Sequence, residues 1–116
     1  ISELIDKLKN PKLLGVILSC VSPENYELNL NEIKSLGVPF GFKLNGYLKT
    51  APLSKMNKTN SKNDFLQPNN FLGKRKDLSP EKMLELVKGF KDSGATILGG
   101  CCETTPAHIK SFASLK

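Results

Sequence analysis

Residues 95–109 read ATILGGCCETTPAHI. The first four residues predict a short strand, which runs into two glycines and two cysteines. Thr105 and Pro106 then predict the start of a helix, because Thr is suited to the N-cap and Pro to the first helical position. The segment therefore predicts a strand–turn–helix unit with both cysteines just after the C-terminal end of the strand.

Two further strands are predicted upstream of this unit. Residues 13–18 form a continuous apolar run of strand length, which is typical of a strand buried on both faces of a sheet. Residues 39–44 predict a second, less apolar strand. A predicted helix separates each strand from the next, and this alternation indicates parallel strands joined by right-handed crossovers.

The helix starts share one pattern in this chain. Ser22-Pro23-Glu24 and Ser79-Pro80-Glu81 each offer Ser as N-cap, Pro at the first helical position and an acid in the first turn. Gly37 and Gly94 are natural ends for these two helices. Another helix is predicted over residues 1–9. The predicted fold class is therefore α/β.

Length and composition limit what the chain can be. Its 116 residues suit one small domain or part of a larger one, and 39% hydrophobic with 24% charged residues argue against general disorder. No apolar run approaches the roughly 20 residues that a membrane span needs, and no signal-type segment begins the chain. Three strands bury both faces of a parallel sheet poorly, and the first residue is Ile1 rather than Met. We therefore expect the chain to be part of a longer protein.

The basic charge is concentrated in one stretch. Eight Lys or Arg residues lie from Lys43 to Lys76 against one acidic residue, Asp64, so this stretch carries +7 and the rest of the chain −1. A basic loop insert is predicted at about residues 46–78, and its part from 49 to 76 is expected to add little to the core. Its apolar residues are expected mostly in solvent: Phe65, Leu66, Phe71 and Leu72. A nucleic-acid-binding domain is an alternative interpretation, although no RNA-binding signature is present.

All three cysteines follow predicted strands. Cys20 follows the first strand, and Cys101 and Cys102 follow the third, at the edge where parallel α/β folds bind ligands. Adjacent strand residues point to opposite faces, so we expect Gly99-Gly100 to adopt unusual dihedral angles that let the two neighbouring thiols converge. Three thiolates would leave the fourth position of a Zn²⁺ ion open, as in a catalytic site.

Two other interpretations of the cysteines stay open. Free cysteines are common as small buried hydrophobic residues in protein cores. If His108 were a fourth ligand, the site would be a closed Cys₃His structural zinc module. The odd number of cysteines forms no even disulfide framework, which favours reduced thiols and a cytoplasmic protein.

The string GGCC-x-T-x-P-x-H-I at residues 99–109 resembles the C-terminal signature of the homocysteine S-methyltransferase family. Cys20, followed by Ser22-Pro23-Glu24, matches the position of that family's earlier zinc cysteine, and Asn45-Gly46 matches its Asn after the intervening strand. Apart from the basic insert, the resemblance covers nearly the whole chain. Glu103 stands where Gly is frequent in the family.

The resemblance implies a fold and a site. The chain would be the C-terminal three strand–helix units of a (β/α)₈ TIM barrel of about 250 residues, with the strand at 39–44 between the other two. Zinc would be bound by Cys20, Cys101 and Cys102. Substrate contacts would come from Ser19, which stands where Asn is common, from Asn45 and from Gly100. Tyr47, beside Asn45-Gly46, is a further candidate for lining the pocket.

The implied reaction is methyl transfer to homocysteine, or to a related thiol or selenol, giving methionine. Zinc would lower the pKa of the substrate thiol, and no general base would be required. The donor would be a sulfonium, an ammonium or a carrier-borne methyl group. The expected partners are these small molecules and the remaining N-terminal part of the barrel, without a membrane and without nucleic acid.

Overall fold

The computed structural model describes residues 12–48 and 72–116, together with Glu3. Three parallel strands alternate with three helices in this part of the chain. In chain order the elements are β1 (Val16–Val21), α1 (Pro23–Lys34), β2 (Phe40–Leu44), α2 (Pro80–Asp92), β3 (Ile97–Gly100) and α3 (Pro106–Ala113). The helix predicted over residues 1–9 lies outside the described residues, except for Glu3. Among the described residues, no helix is long and apolar enough to cross a membrane.

The sheet has the predicted strand order. β2 lies between β1 and β3, and both pairings are parallel. Phe42 is paired with Leu18 on one side and with Leu98 on the other. The expected parallel α/β arrangement with the second strand in the centre is confirmed, and it is compatible with part of a barrel.

The helices begin where the Ser-Pro-Glu pattern predicts. The side chain of Ser22 accepts a hydrogen bond from the backbone N–H of Asn25 at 3.3 Å, and Ser79 accepts one from Lys82 at the same distance. Each serine thereby satisfies one of the backbone N–H groups that a helix start leaves without a partner. Past the helix ends, Gly37 adopts φ 65° and Gly94 φ 108°, left-handed values that only glycine adopts without strain.

The core lies between the helices and one face of the sheet. Tyr26 of α1, Phe42 of β2 and Phe90 of α2 pack edge to face, with ring centroids 4.8 to 5.6 Å apart. Such aromatic pairs contribute about 0.5–1.5 kcal/mol each beyond the burial of their area. The buried residues around them are Ile33, Phe40, Leu44, Leu78, Met83, Val87, Ala95 and Phe112.

On the other face of the sheet several described residues are exposed, in keeping with the expectation that three strands alone bury both faces poorly. β1 begins at Val16 rather than at residue 13, Leu14 is 88% exposed and Ile17 is 45% exposed. Ile17 pairs with Gly41, and on the same face Ser19 pairs with the exposed Lys43. The apolar run is therefore buried on one face only within the described chain, because the helices all cover the face that carries Phe42.

The C-terminal end of the basic insert differs from expectation. Tyr47 and Lys74 form an antiparallel bridge, which returns the chain to the sheet edge after the insert. Leu72 is only 4% exposed, although the sequence predicted solvent there. The other three apolar residues of that prediction, at positions 65, 66 and 71, lie outside the described residues. The C-terminal end of the insert thus contributes to the packed structure.

Truncation of Leu72 tests this packing. Leu72→Ala is expected to lower the free energy of unfolding by about 2–4 kcal/mol, the usual cost of removing a buried leucine side chain. Leu28→Ala is the matched control, because Leu28 on α1 is 81% exposed and its loss should cost less than about 0.5 kcal/mol. Urea unfolding measures both variants, and equally small losses would show that the insert end is not packed.

Candidate metal centre

The three cysteine sulfurs converge at the C-terminal edge of the sheet. The Sγ atoms of Cys20 and Cys102 are 3.8 Å apart, and those of Cys101 and Cys102 are 3.9 Å apart. All three sulfurs lie within 4.8 Å of one another, and none is in a disulfide. The predicted convergence is confirmed.

This spacing fits a metal ion held by three sulfurs. Zn–S bonds of about 2.3 Å in a tetrahedron place neighbouring sulfurs about 3.8 Å apart. Two of the three separations match that value, and the third is at most 4.8 Å. Thiol sulfurs are soft donors that suit zinc better than magnesium or calcium. The residues present therefore fit a zinc ion with one open coordination position.

Cys20 reaches the cluster through a bulge in β1. Ser19 pairs with Lys43 and Val21 pairs with Leu44, so Cys20 has no partner in the ladder. Its φ of 55° lies in the left-handed region, which is uncommon for a residue other than glycine. Such bulges re-aim a side chain and are common near functional sites. Cys20 therefore lies within β1, at its bulge, and not after the strand as the sequence suggested.

Cys101 and Cys102 converge by a different route from the one expected. Gly99 and Gly100 stay in β3, and neither has a left-handed φ. The left-handed residue of the turn is Glu103, with φ 61°. A Cβ at position 100 would overlap the side chain of Thr104, so glycine is needed there for space and not for its dihedral freedom.

Asn45 fastens the bulge of β1 to the end of β2. Its side-chain Nδ2 donates to the carbonyl of Cys20 at 2.7 Å, and its backbone N–H donates to Val21 at 2.9 Å. Its Oδ1 accepts from the backbone N–H of Tyr47 at 3.2 Å. The Asn45 side chain is 1% exposed and is held by contacts within the chain. Its predicted contact with substrate stays a prediction.

Tyr47 interacts with one thiol of the cysteine cluster. The residue is buried, and a hydrogen bond from its side chain is the main cause that lowers the pKa of Cys102. Burial, together with hydrogen bonds to the two other thiols, raises the pKa of Cys20 to about 11. Cys102 therefore loses its proton more readily than Cys20. The sequence placed Tyr47 near the site, but it did not indicate this sulfur contact.

His108 is committed elsewhere. It is buried, its Nδ1 accepts from the backbone N–H of Thr105 at 3.0 Å, and its Nε2 lies 3.0 Å from the carbonyl oxygen of Leu78. With Nδ1 accepting, Nε2 carries the proton and donates to that carbonyl. Both ring nitrogens are thus used to fix the start of α3. The described residues that could share one ion are the three cysteines alone, which argues against the Cys₃His module.

The two remaining predicted site residues each directly precede a cysteine of the cluster along the chain. Gly100 ends β3 directly before Cys101. Ser19 is exposed beside Lys43 on the face of the sheet opposite the helices, one residue before the bulge. Substrate contacts at both positions stay predictions.

Comparison with known proteins shows to which family the chain belongs. The family model of homocysteine S-methyltransferase matches residues 1–115. Methionine synthase from Mycobacterium tuberculosis (strain ATCC 25618 / H37Rv) is 45% identical over 38 residues, which are 32% of this chain and 3% of that protein. No solved structure gives a significant match. Because the family match spans almost the whole chain and includes all three cysteines, the chain belongs to the homocysteine S-methyltransferase family.

Proposed function

We propose that this chain takes part in zinc-dependent transfer of a methyl group to the thiol of homocysteine, or to a related thiol or selenol, giving methionine. The observation that carries the proposal is the spacing of three cysteine sulfurs, which suits tetrahedral zinc, in a chain of this family. The similarity to a methionine synthase supports the same reaction class.

The chemistry follows from the donor set. Cys20, Cys101 and Cys102 would hold the ion, which when bound supplies a lowered pKa for a thiol at its fourth position. In the transfer, the thiol loses its proton, a sulfur–methyl bond forms, and the bond between the methyl group and its donor breaks. The donor would be a sulfonium, an ammonium or a carrier-borne methyl group. Asn45 and Tyr47 would keep the cysteines in place during this exchange.

We also propose that further polypeptide completes a (β/α)₈ barrel around the described sheet. Ile17 and Lys43 lie exposed on the face opposite the helices, where a barrel would have its interior. A cleft of about 610 Å³ is lined by Leu98 of β3 and Phe112 of α3, among others. The exposed Ile17 and the largely apolar cleft suit coverage by the N-terminal part of such a barrel. Free cysteines fit a cytoplasmic protein.

Two cations near the C-terminal end of the basic insert are already paired with acids. Lys74 pairs with Glu103 at 3.6 Å, and Arg75 pairs with Glu24 and Asp77 at 2.6 and 2.7 Å. Cations that are already paired with acids in this way are poorly placed to neutralise phosphates.

Replacement of single ligands tests the metal site. Cys20→Ser, Cys101→Ser and Cys102→Ser are each expected to weaken zinc binding beyond the roughly 10- to 100-fold typical for loss of an outer-shell partner, because a serine hydroxyl is a poor ligand for zinc. Competition with a chromophoric chelator measures the affinity. Retention of tight binding in Cys20→Ser would contradict the proposal.

His108→Ala separates the catalytic site from a structural zinc module. The variant should lower the free energy of unfolding, because it removes the contacts to Thr105 and Leu78. Its zinc affinity should equal that of the unchanged protein. A loss of zinc binding in His108→Ala, with binding kept in Cys20→Ser, would favour the Cys₃His module.

Substrate binding can be followed with cobalt in place of zinc. Homocysteine should increase the sulfur-to-cobalt charge-transfer absorption of the full-length protein, because a fourth sulfur joins the ion. Homoserine, which has a hydroxyl in place of the thiol, is the matched control and should leave the spectrum unchanged. Methionine formation from homocysteine and a sulfonium donor then measures the activity. A protein that binds cobalt through sulfur but does not respond to homocysteine would argue for a different substrate.

A further inference from the structure

Arg75 joins two parts of the chain that are far apart in sequence. Its guanidinium contacts Glu24 through one NH group at 2.6 Å, and it binds Asp77 through two N–H groups at 3.1 and 2.7 Å. The Arg75 side chain is only 17% exposed, although both acids are exposed. The fork of donors on arginine suits this kind of two-point contact better than the single charge of lysine.

Glu24 and the backbone of Arg75 are each close in the structure to a different part of the cysteine cluster. Glu24 lies in the first turn of α1, four residues after Cys20. The backbone N–H of Arg75 donates to the carbonyl of Gly46 at 2.8 Å, and the N–H of Gly46 donates to the carbonyl of Cys102 at 2.9 Å. Arg75 therefore connects the segment that follows Cys20 with the turn that carries Cys102.

Residues 72–77, which we call the clamp, are held in place by further contacts. The backbone N–H of Leu48 donates to the carbonyl of Gly73 at 3.0 Å, and Lys74 pairs with Glu103 at 3.6 Å. Leu72, at the start of the clamp, is buried. The clamp is thus fixed to the end of β2 and to the turn that carries Cys102, and the Arg75 side chain ties it to α1.

The geometry of the cysteine cluster depends on contacts outside the strand ladder. Cys20 lies outside the ladder of β1 with a left-handed φ, so regular strand pairing does not fix its sulfur. The start of α1 must hold its position relative to the turn at Cys102 if the sulfurs are to stay near 3.8 Å. Arg75 also acts on its partners' charges. Burial alone would raise the pKa of Glu24, yet hydrogen bonds from its own backbone and from Arg75 keep it below its usual value.

We propose that Arg75 is a positioning residue, which sets the separation between Cys20 and the Cys101–Cys102 turn and so tunes the metal affinity of the cluster. This inference rests on the proposed zinc site, but it assigns a task to the basic insert that the family resemblance did not cover. The clamp would support the metal centre, and the Arg75 side chain would be the contact that fixes the position of Cys20 relative to Cys102.

Cobalt and zinc binding to Arg75→Gln in the full chain tests the proposal. Glutamine cannot bridge the two acids, so the zinc dissociation constant should rise roughly 3- to 30-fold, somewhat less than for a direct outer-shell partner. Glu24→Gln should produce a similar rise, and the double variant should add little to either, because both remove the same contact. The zinc dissociation constant of Arg75→Lys should lie between that of Arg75→Gln and that of the unchanged protein.

The matched control is Lys82→Gln. It breaks an exposed ion pair to Glu85 at 2.6 Å, in which both partners lie on α2, and should leave metal affinity unchanged. Urea unfolding of the metal-free proteins separates a general loss of stability from a specific loss of affinity.

The outcomes are distinguishable. If the unchanged protein shows no sulfur-to-cobalt absorption, the zinc site itself is wrong and this inference falls with it. If the unchanged protein binds cobalt and Arg75→Gln binds it equally well with the same spectrum, the positioning role is overturned while the zinc site stands. If Arg75→Gln does not fold, Glu24→Gln decides in the same way, because it changes only one exposed carboxylate on α1.

Discussion

The C-terminal end of β2 is the template on which both cysteine-bearing segments are arranged. Leu44 accepts the backbone N–H of Cys101 at 2.7 Å, and Asn45 binds the carbonyls of both Cys20 and Val21. These contacts are made by buried residues, where a lost partner costs about 1–3 kcal/mol in place of the 0.5–1.5 kcal/mol that a typical hydrogen bond contributes. The sulfurs lie close together because Leu44 and Asn45, at the end of β2, form hydrogen bonds with the C-terminal ends of both β1 and β3.

Local signals in the sequence predicted most of the secondary structure. The two Ser-Pro-Glu starts and the apolar runs are interpretable because capping and burial depend on neighbouring residues. The departures arise where contacts between distant residues impose a backbone that local preference would not choose. The bulge at Cys20 and the left-handed Glu103 are of this kind. The sequence predicted unusual dihedral angles at Gly99-Gly100, but the residue with the left-handed φ is Glu103.

The site residues divide along the same line. The three cysteines could be predicted, because thiols after parallel strands meet at one edge of the sheet. The contacts of Asn45 and Tyr47 to those cysteines could not be predicted, because they depend on the bulge and on the path of the chain after β2. The frequent Gly at position 103 in the family also has a physical reason here, since φ 61° favours glycine. In this chain a glutamate occupies that conformation and pairs with Lys74.

The bond between the N–H of Leu48 and the carbonyl of Gly73, at 3.0 Å, joins two residues that are 25 positions apart in the sequence. The entropy of closing a loop grows only with the logarithm of its length, so doubling the number of residues between the two ends costs about 0.6 kcal/mol. A change in the number of residues between positions 48 and 73 is therefore expected to cost little at this bond, which lies at the edge of the sheet. Insertions or deletions between Leu48 and Gly73 would therefore change the sequence near the cysteine cluster at a small cost in folding free energy.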